Sequence, residues 1–187
     1  DFPEKIIPYD YEAYFANTDR FVMVTTNCLT GKAEYLEEKS DSKRVMDIVR
    51  ASSSLPYVTK ITYVDGVPML DGGIADSIPV EYAKSQGYER MVVILTRNKG
   101  YRKNEKQLPV PKVIYRKYPE LRKTLASRNA QYNRTMEMIE RLEEKGSLTV
   151  IRPVHPIEVD RMEKDTDKLR SLYQEGYELA ESFLATL

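Results

Sequence analysis

Two Asp-Gly steps stand six residues apart in "YVDGVPMLDGGIADSIPV" (63–80), at Asp65-Gly66 and Asp71-Gly72. An aspartate on a tight turn does one of two things. It bends the chain, or it offers a carboxylate as an acid–base group to a reacting hydroxyl. "KITYVDGVPML" (60–70) sets Asp65-Gly66 between two short apolar arms, which predicts a β-hairpin with a type I′ turn. Asp65 is thereby accounted for. Asp71 has only one arm, then two glycines, then a helix signal within about eight residues. A double glycine can take left-handed backbone and lets another group approach closely. The local pattern leaves two readings of Asp71 open: a turn and cap residue, or an acid–base group.

Few other side chains compete. Ser52, Ser53 and Ser54 in "ASSSLP" follow a helical stretch and lack flanking glycines, so the sharp elbow that exposes a nucleophilic serine is not expected there. His155 follows a strand signal, and Ser, Asp, His is the chain order of one hydrolase triad, but it sits between Pro153 and Pro156. Cys28 reads as a small buried residue. With one Cys and one His, the chain cannot build a Cys/His zinc site by itself, and no cofactor motif is present.

Elements must position these groups. "RFVMVTTN" (20–27) and "AEYLE" (33–37) predict strands around a turn at Gly31. "SDSKRVMDIVRAS" (40–52) predicts a capped helix. Pro68 cannot donate to a ladder, so the second hairpin arm is expected at an edge or bent. "DSIPVEYAKSQG" (76–87) predicts a helix capped by Asp76 or Ser77, with Pro79 in its first turn and Gly87 closing it. "RMVVILT" (90–96) reads as a parallel strand buried on both faces. Residues 119–146 read as a long helix with a stripe at Leu121, Leu125, Tyr132, Met136, Ile139 and Leu142, "LTVIRP" (148–153) as a buried strand, and 161–187 as an amphipathic helix. The order predicts an α/β sandwich.

The ordered set "ASSSLP" (51–56), hairpin, "LDGGIADSIPV" (70–80), helix, "MVVILT" (91–96) resembles the patatin-like phospholipases, in their bacterial branch. "VTTNCLTGKAEYL" (24–36), "LTRNKGYRK" (95–103) and "YQEGYELA" (173–180) are similar to segments of that branch as well. The resemblance implies a three-layer α/β/α sandwich with a mixed sheet, and hydrolysis of lipid acyl esters by a Ser–Asp dyad. It implies that Asp71 is the dyad acid, within the active-site loop Asp71-Gly72-Gly73. The chain departs from the family in one respect. None of its eight glycines bracket a serine at a spacing of four, so neither a G-x-S-x-G elbow nor a Gly-rich oxyanion loop is present. The chain opens on "DFPEKIIPYD" without Met, as a processed terminus or a piece of a longer protein would. The expectation is that residues 1–187 are the C-terminal portion of a single hydrolase domain and are inactive alone. A non-catalytic α/β binding or scaffolding module and a Ser-Asp-His hydrolase using His155 are the alternatives.

The bulk numbers fit this picture. Twenty-nine basic and 29 acidic residues balance, and 18 aromatics (14 Tyr, 4 Phe) suit a folded globule. A single cysteine suits a reducing, cytoplasmic compartment, and no apolar run is long enough to cross a membrane. Residues 97–128 carry eleven basic and two acidic side chains, 11 − 2 = +9, read either as a solvated basic face or as a face for an anionic membrane surface. No nucleic-acid motif accompanies that charge. An incomplete sheet would leave an exposed edge through which the chain could self-associate.

Overall fold

The computed structural model describes residues 7–17, 19–106, 110–160 and 163–186. In chain order its elements are α1 (Tyr11–Ala16), β1 (Met23–Asn27), β2 (Ala33–Leu36), α2 (Ser42–Ser52), β3 (Thr62–Val64), β4 (Val67–Asp71) and a 3-10 turn (Gly72–Ile74). There follow α3 (Val80–Ser85), β5 (Met91–Ile94), α4 (Pro119–Glu144), β6 (Leu148–Ile151) and α5 (Thr166–Leu184). The chain is a mixed α/β fold, with antiparallel pairing in one sheet and parallel pairing in another. It divides into two compact units. The first comprises Asp1–Ile78 with Glu105–Gln131, the second Pro79–Asn104 with Tyr132–Leu187.

The first unit holds a four-stranded antiparallel sheet in the order β2-β1-β4-β3. Successive residues of a strand point to opposite faces, and β4 uses both. Met69 packs with Met23, Val64, Ile48 and Ala51, so one face is covered by α2. Leu70 packs with Cys28, Ile74, Leu121 and Leu125, so the other face is covered by the start of α4. Helix, sheet and helix make three layers. Asp41 caps α2 by accepting from the Lys43 and Arg44 amides. Gly31 has φ +68°, and a Cβ there would stand 2.5 Å from Thr124 Oγ1 of α4. Only glycine lets the β1–β2 turn meet that helix, whose Thr124 hydroxyl donates to the Gly31 carbonyl at 2.8 Å.

The hairpin forms as the sequence predicts. Asp65 (φ 50°) and Gly66 (φ 78°) are both left-handed, as a type I′ turn requires. Of the two expectations for Pro68, an edge strand or a bend, the edge fails. β4 is an inner strand between β1 and β3, not an edge. Pro68 is tolerated because it lies just past the last β1–β4 pair, Asn27 with Met69, while its carbonyl still accepts from the Cys28 amide at 2.9 Å.

The second unit pairs β5 with β6 in parallel. β5 is not buried on both faces as its apolar run suggests. Val93 is buried, but Val92 and Ile94 are 50% and 74% exposed. The helix expected over 76–87 shortens to α3. Pro79 takes the cap position without a side-chain bond, and Asp76 accepts instead from the Tyr35 hydroxyl at 2.7 Å. In this unit Tyr132, Met136 and Ile139 of the α4 stripe are buried, and Gly146 (φ 68°) follows its end. The apolar stripe of α5 stays largely open, with Leu169, Tyr173, Tyr177 and Leu184 exposed.

Candidate functional site

Asp71 is the last residue of β4 and the cap of the 3-10 turn that follows it. Three bonds hold it. Its amide donates to the Ser54 carbonyl at 2.9 Å. Its carbonyl accepts from the Thr26 hydroxyl at 2.8 Å. Its carboxylate Oδ1 accepts from the Gly73 amide at 2.7 Å. The main chain is pinned by residues 17 and 45 positions away, and the side chain is oriented by its own loop. Among the described residues, Oδ2 accepts no hydrogen bond, and the residue is half-buried. An aspartate held in this way keeps one lone-pair face oriented for a further donor.

The two glycines do different work from the one expected. Neither is left-handed; the positive-φ glycines lie elsewhere. Gly72 serves close approach. A Cβ there would stand 2.4 Å from the Val24 carbonyl oxygen, so glycine alone lets the loop fold over β1. A Cβ on Gly73 would stand 3.0 Å from Asp71 Oδ1, the oxygen its own amide holds.

Thr26 escapes a reading by motif. The buried Thr26 hydroxyl donates to the Asp71 carbonyl and accepts from the Ala75 amide at 3.2 Å, closing the loop from both ends. Buried Ser54 donates to the Arg50 carbonyl at 2.7 Å and shares a bond with Thr62 Oγ1 at 3.0 Å. Ser52 donates to the Val24 carbonyl at 2.8 Å. Each of these two hydroxyls is spent on the frame. The signal for Thr26 was faint: a threonine at an inward position of a strand must find a partner for its hydroxyl.

The other candidates separate cleanly. Asp65 is ion-paired to Arg44, and that guanidinium holds its carboxyl below the usual range. Cys28 is fully buried, and burial pushes its thiol up to about 12, so it carries little thiolate near neutrality. His155 is exposed in the second unit and makes no hydrogen bond among the described residues. No three His, Cys, Asp or Glu side chains converge on a metal position among the described residues. A cleft of about 290 Å³ opens beside β1, lined by Tyr9, Tyr14, Phe21 and Asp19 among others. Phe21 precedes β1 and Glu38 follows β2, so the cleft lies toward the sheet end at which β4 delivers Asp71.

The same stretch matches a known family. Residues 4–84 fit the model described as patatin-like phospholipase, and Asp71, Gly72, Gly73, Thr26 and Ser54 all fall inside that span. This stretch of the chain is patatin-like. Residues 118–187 fit a second model, described as a domain of unknown function (DUF6363). The uncharacterized protein YjjU of Escherichia coli strain K12 is 44% identical over 52 residues, which is 27% of this chain and 15% of that relative. No helix among the described residues is long and apolar enough to cross a membrane.

Proposed function

We propose that this chain carries the acid–base half of a lipid acyl hydrolase, with Asp71 as the dyad acid in the loop Asp71-Gly72-Gly73. The observation that supports it is the fixed carboxylate: Oδ1 is held by the Gly73 amide, the backbone is pinned at both ends, and Oδ2 faces no partner among the described residues. Asp71 would take the proton of a serine hydroxyl as the oxygen attacks an ester carbonyl. It would then return that proton to the leaving alcohol. The nucleophile and the oxyanion donors lie outside the 187 residues in this reading, since the sequence offers no glycine-flanked serine and commits Ser52 and Ser54 to backbone bonds. The substrate is a carboxyl ester, in the first place a lipid acyl ester. The basic segment 97–128 meets the anionic surface in which it lies.

The test is ester turnover. A short-chain p-nitrophenyl ester is offered to the 187-residue chain and to the whole product of its reading frame. The chain alone is expected to be inactive and the whole product active, with Asp71→Ala at least about a thousandfold slower. Unchanged turnover in Asp71→Asn overturns the acid role and favours a binding module. Turnover by the isolated chain overturns the external serine.

A further inference from the structure

Two loops of the first unit are stapled together. The Tyr57 amide donates to the Tyr115 hydroxyl at 2.9 Å, and the two rings stand 5.7 Å apart. Both tyrosines are left-handed, with φ 68° and 52°, a conformation that bulky residues adopt only where their surroundings impose it. The base of this junction is anchored. Val110, Tyr115, Tyr118 and Ile61 pack against the core of Cys28, Leu70, Ile74, Leu121 and Leu125. The tip is the opposite. Val58 is 76% exposed and Val113 is 79% exposed, with Leu55 and Tyr57 also open to water.

The two loop segments that form this tip carry side-chain charge of one sign. Residues 51–64 and 110–119 contain no Asp or Glu, yet they carry exposed Lys60, Lys112, Arg116 and Lys117. None of these four makes an ion pair among the described residues. Other cations of the basic segment are engaged. Arg102 binds Glu140, Arg97 and Lys103 lie over tyrosine rings, and Lys123 binds Glu120. Exposed aliphatic side chains, beside cations with no ion pair among the described residues and on a base packed into the core, are an arrangement that seats in an anionic lipid interface.

We propose that the Tyr57–Tyr115 junction is an interfacial anchor. Val58, Val113 and Leu55 enter the headgroup boundary of an anionic bilayer while Lys60, Lys112, Arg116 and Lys117 meet its phosphates. This deepens the lipid reading of the site, because Leu55 directly follows Ser54, whose carbonyl holds the Asp71 amide. The surface so defined is narrower than the whole basic segment, and its apolar half lies partly outside it.

The experiment is sedimentation with vesicles of phosphatidylglycerol and phosphatidylcholine at 1:2, against pure phosphatidylcholine. The 187-residue chain is expected to partition to the anionic vesicles. Val58→Asp with Val113→Asp lowers partitioning at least about tenfold, and each of Lys112→Gln, Arg116→Gln and Lys117→Gln lowers it about fivefold. The chain has no tryptophan, so Val58→Trp supplies a probe whose emission shifts to the blue on anionic vesicles. Exposed positions leave far-ultraviolet circular dichroism unchanged. No partitioning by the parent chain, no blue shift, or full partitioning by the double aspartate variant overturns the anchor. So does equal binding of tRNA by the parent and the double aspartate variant, which would make the patch a polyanion site. Asp71→Asn is expected to bind vesicles as the parent does, so failure of the hydrolase reading and failure of the anchor are separate results.

Discussion

The Arg44 guanidinium meets both carboxylate oxygens of Asp65, with Nε at 3.1 Å from each and Nη2 at 2.7 Å from Oδ2. Asp71, six residues further on, gives Oδ1 to an amide of its own loop, and its Oδ2 accepts no hydrogen bond among the described residues. The two Asp-Gly steps thus differ in what their carboxylates face.

The same substitution at both positions therefore has opposite consequences. Asp65→Asn keeps the turn, because Asn-Gly also forms type I′. It loses a half-exposed ion pair and costs about 0.5 kcal/mol in urea unfolding, with no loss of ester turnover in the whole product. Asp71→Asn keeps the fold and loses turnover. A larger stability loss at Asp71 than at Asp65, with turnover retained, would assign Asp71 to the frame.

The two glycines after Asp71 are expected to part in the same way. Gly72→Ala drives a methyl into the Val24 carbonyl, which is backbone and cannot yield, and costs about 3 kcal/mol. Gly73→Ala crowds Asp71 Oδ1 at 3.0 Å, so it lowers turnover more than stability. Chemical denaturation beside an ester assay reads both.

Thr26→Val tests the long-range hold. The shape is kept, but the Asp71 carbonyl loses a donor and the buried Ala75 amide loses one of its two acceptors, keeping the Gly72 carbonyl. The expected cost is about 1–3 kcal/mol. Thr26→Ser restores the hydroxyl and recovers most of it. Equal stability of the valine and serine variants would show that the hydroxyl is not what holds the loop.

Acid sensitivity should trace to Glu38. Its Oε1 accepts from the Ser40 hydroxyl and amide and from the Asp41 amide, and its Oε2 accepts from Arg44. These bonds, led by the Ser40 hydroxyl, bring its carboxyl down to about 2. A depressed carboxylate stabilises the fold fully above its unfolded value, near 4.3, and loses that share as pH falls toward 2. Unfolding midpoints taken from pH 6 to pH 2.5 should fall less steeply for Glu38→Gln than for the parent. Parallel curves would remove Glu38 from the acid response.

Much of the frame was legible because it is local. The hairpin is written in Asp65-Gly66 and its two arms, α2 in its Ser/Asp caps and the spacing of Val45, Met46, Ile48 and Val49, of which Val45 and Ile48 are buried and Val49 is exposed, and the burial of α4 in its stripe. Each depends on backbone preferences and periods that span a few residues. Three features depend on where distant segments meet. Pro68 marks an edge strand by its own chemistry, yet the end of β1 leaves its missing donor unneeded. Val92 and Ile94 read as buried, yet β5 finds only β6 as a strand partner among the described residues. The DGG motif was visible, but not the reason its aspartate is fixed. That reason is a threonine 45 residues away, a serine carbonyl 17 residues away and a carbonyl at Val24 that admits no side chain. Local residue order marks Asp65 as the aspartate that turns the chain. Only folding leaves Asp71 Oδ2 without a hydrogen bond among the described residues, because it brings Thr26, Ser54 and Val24 to one loop.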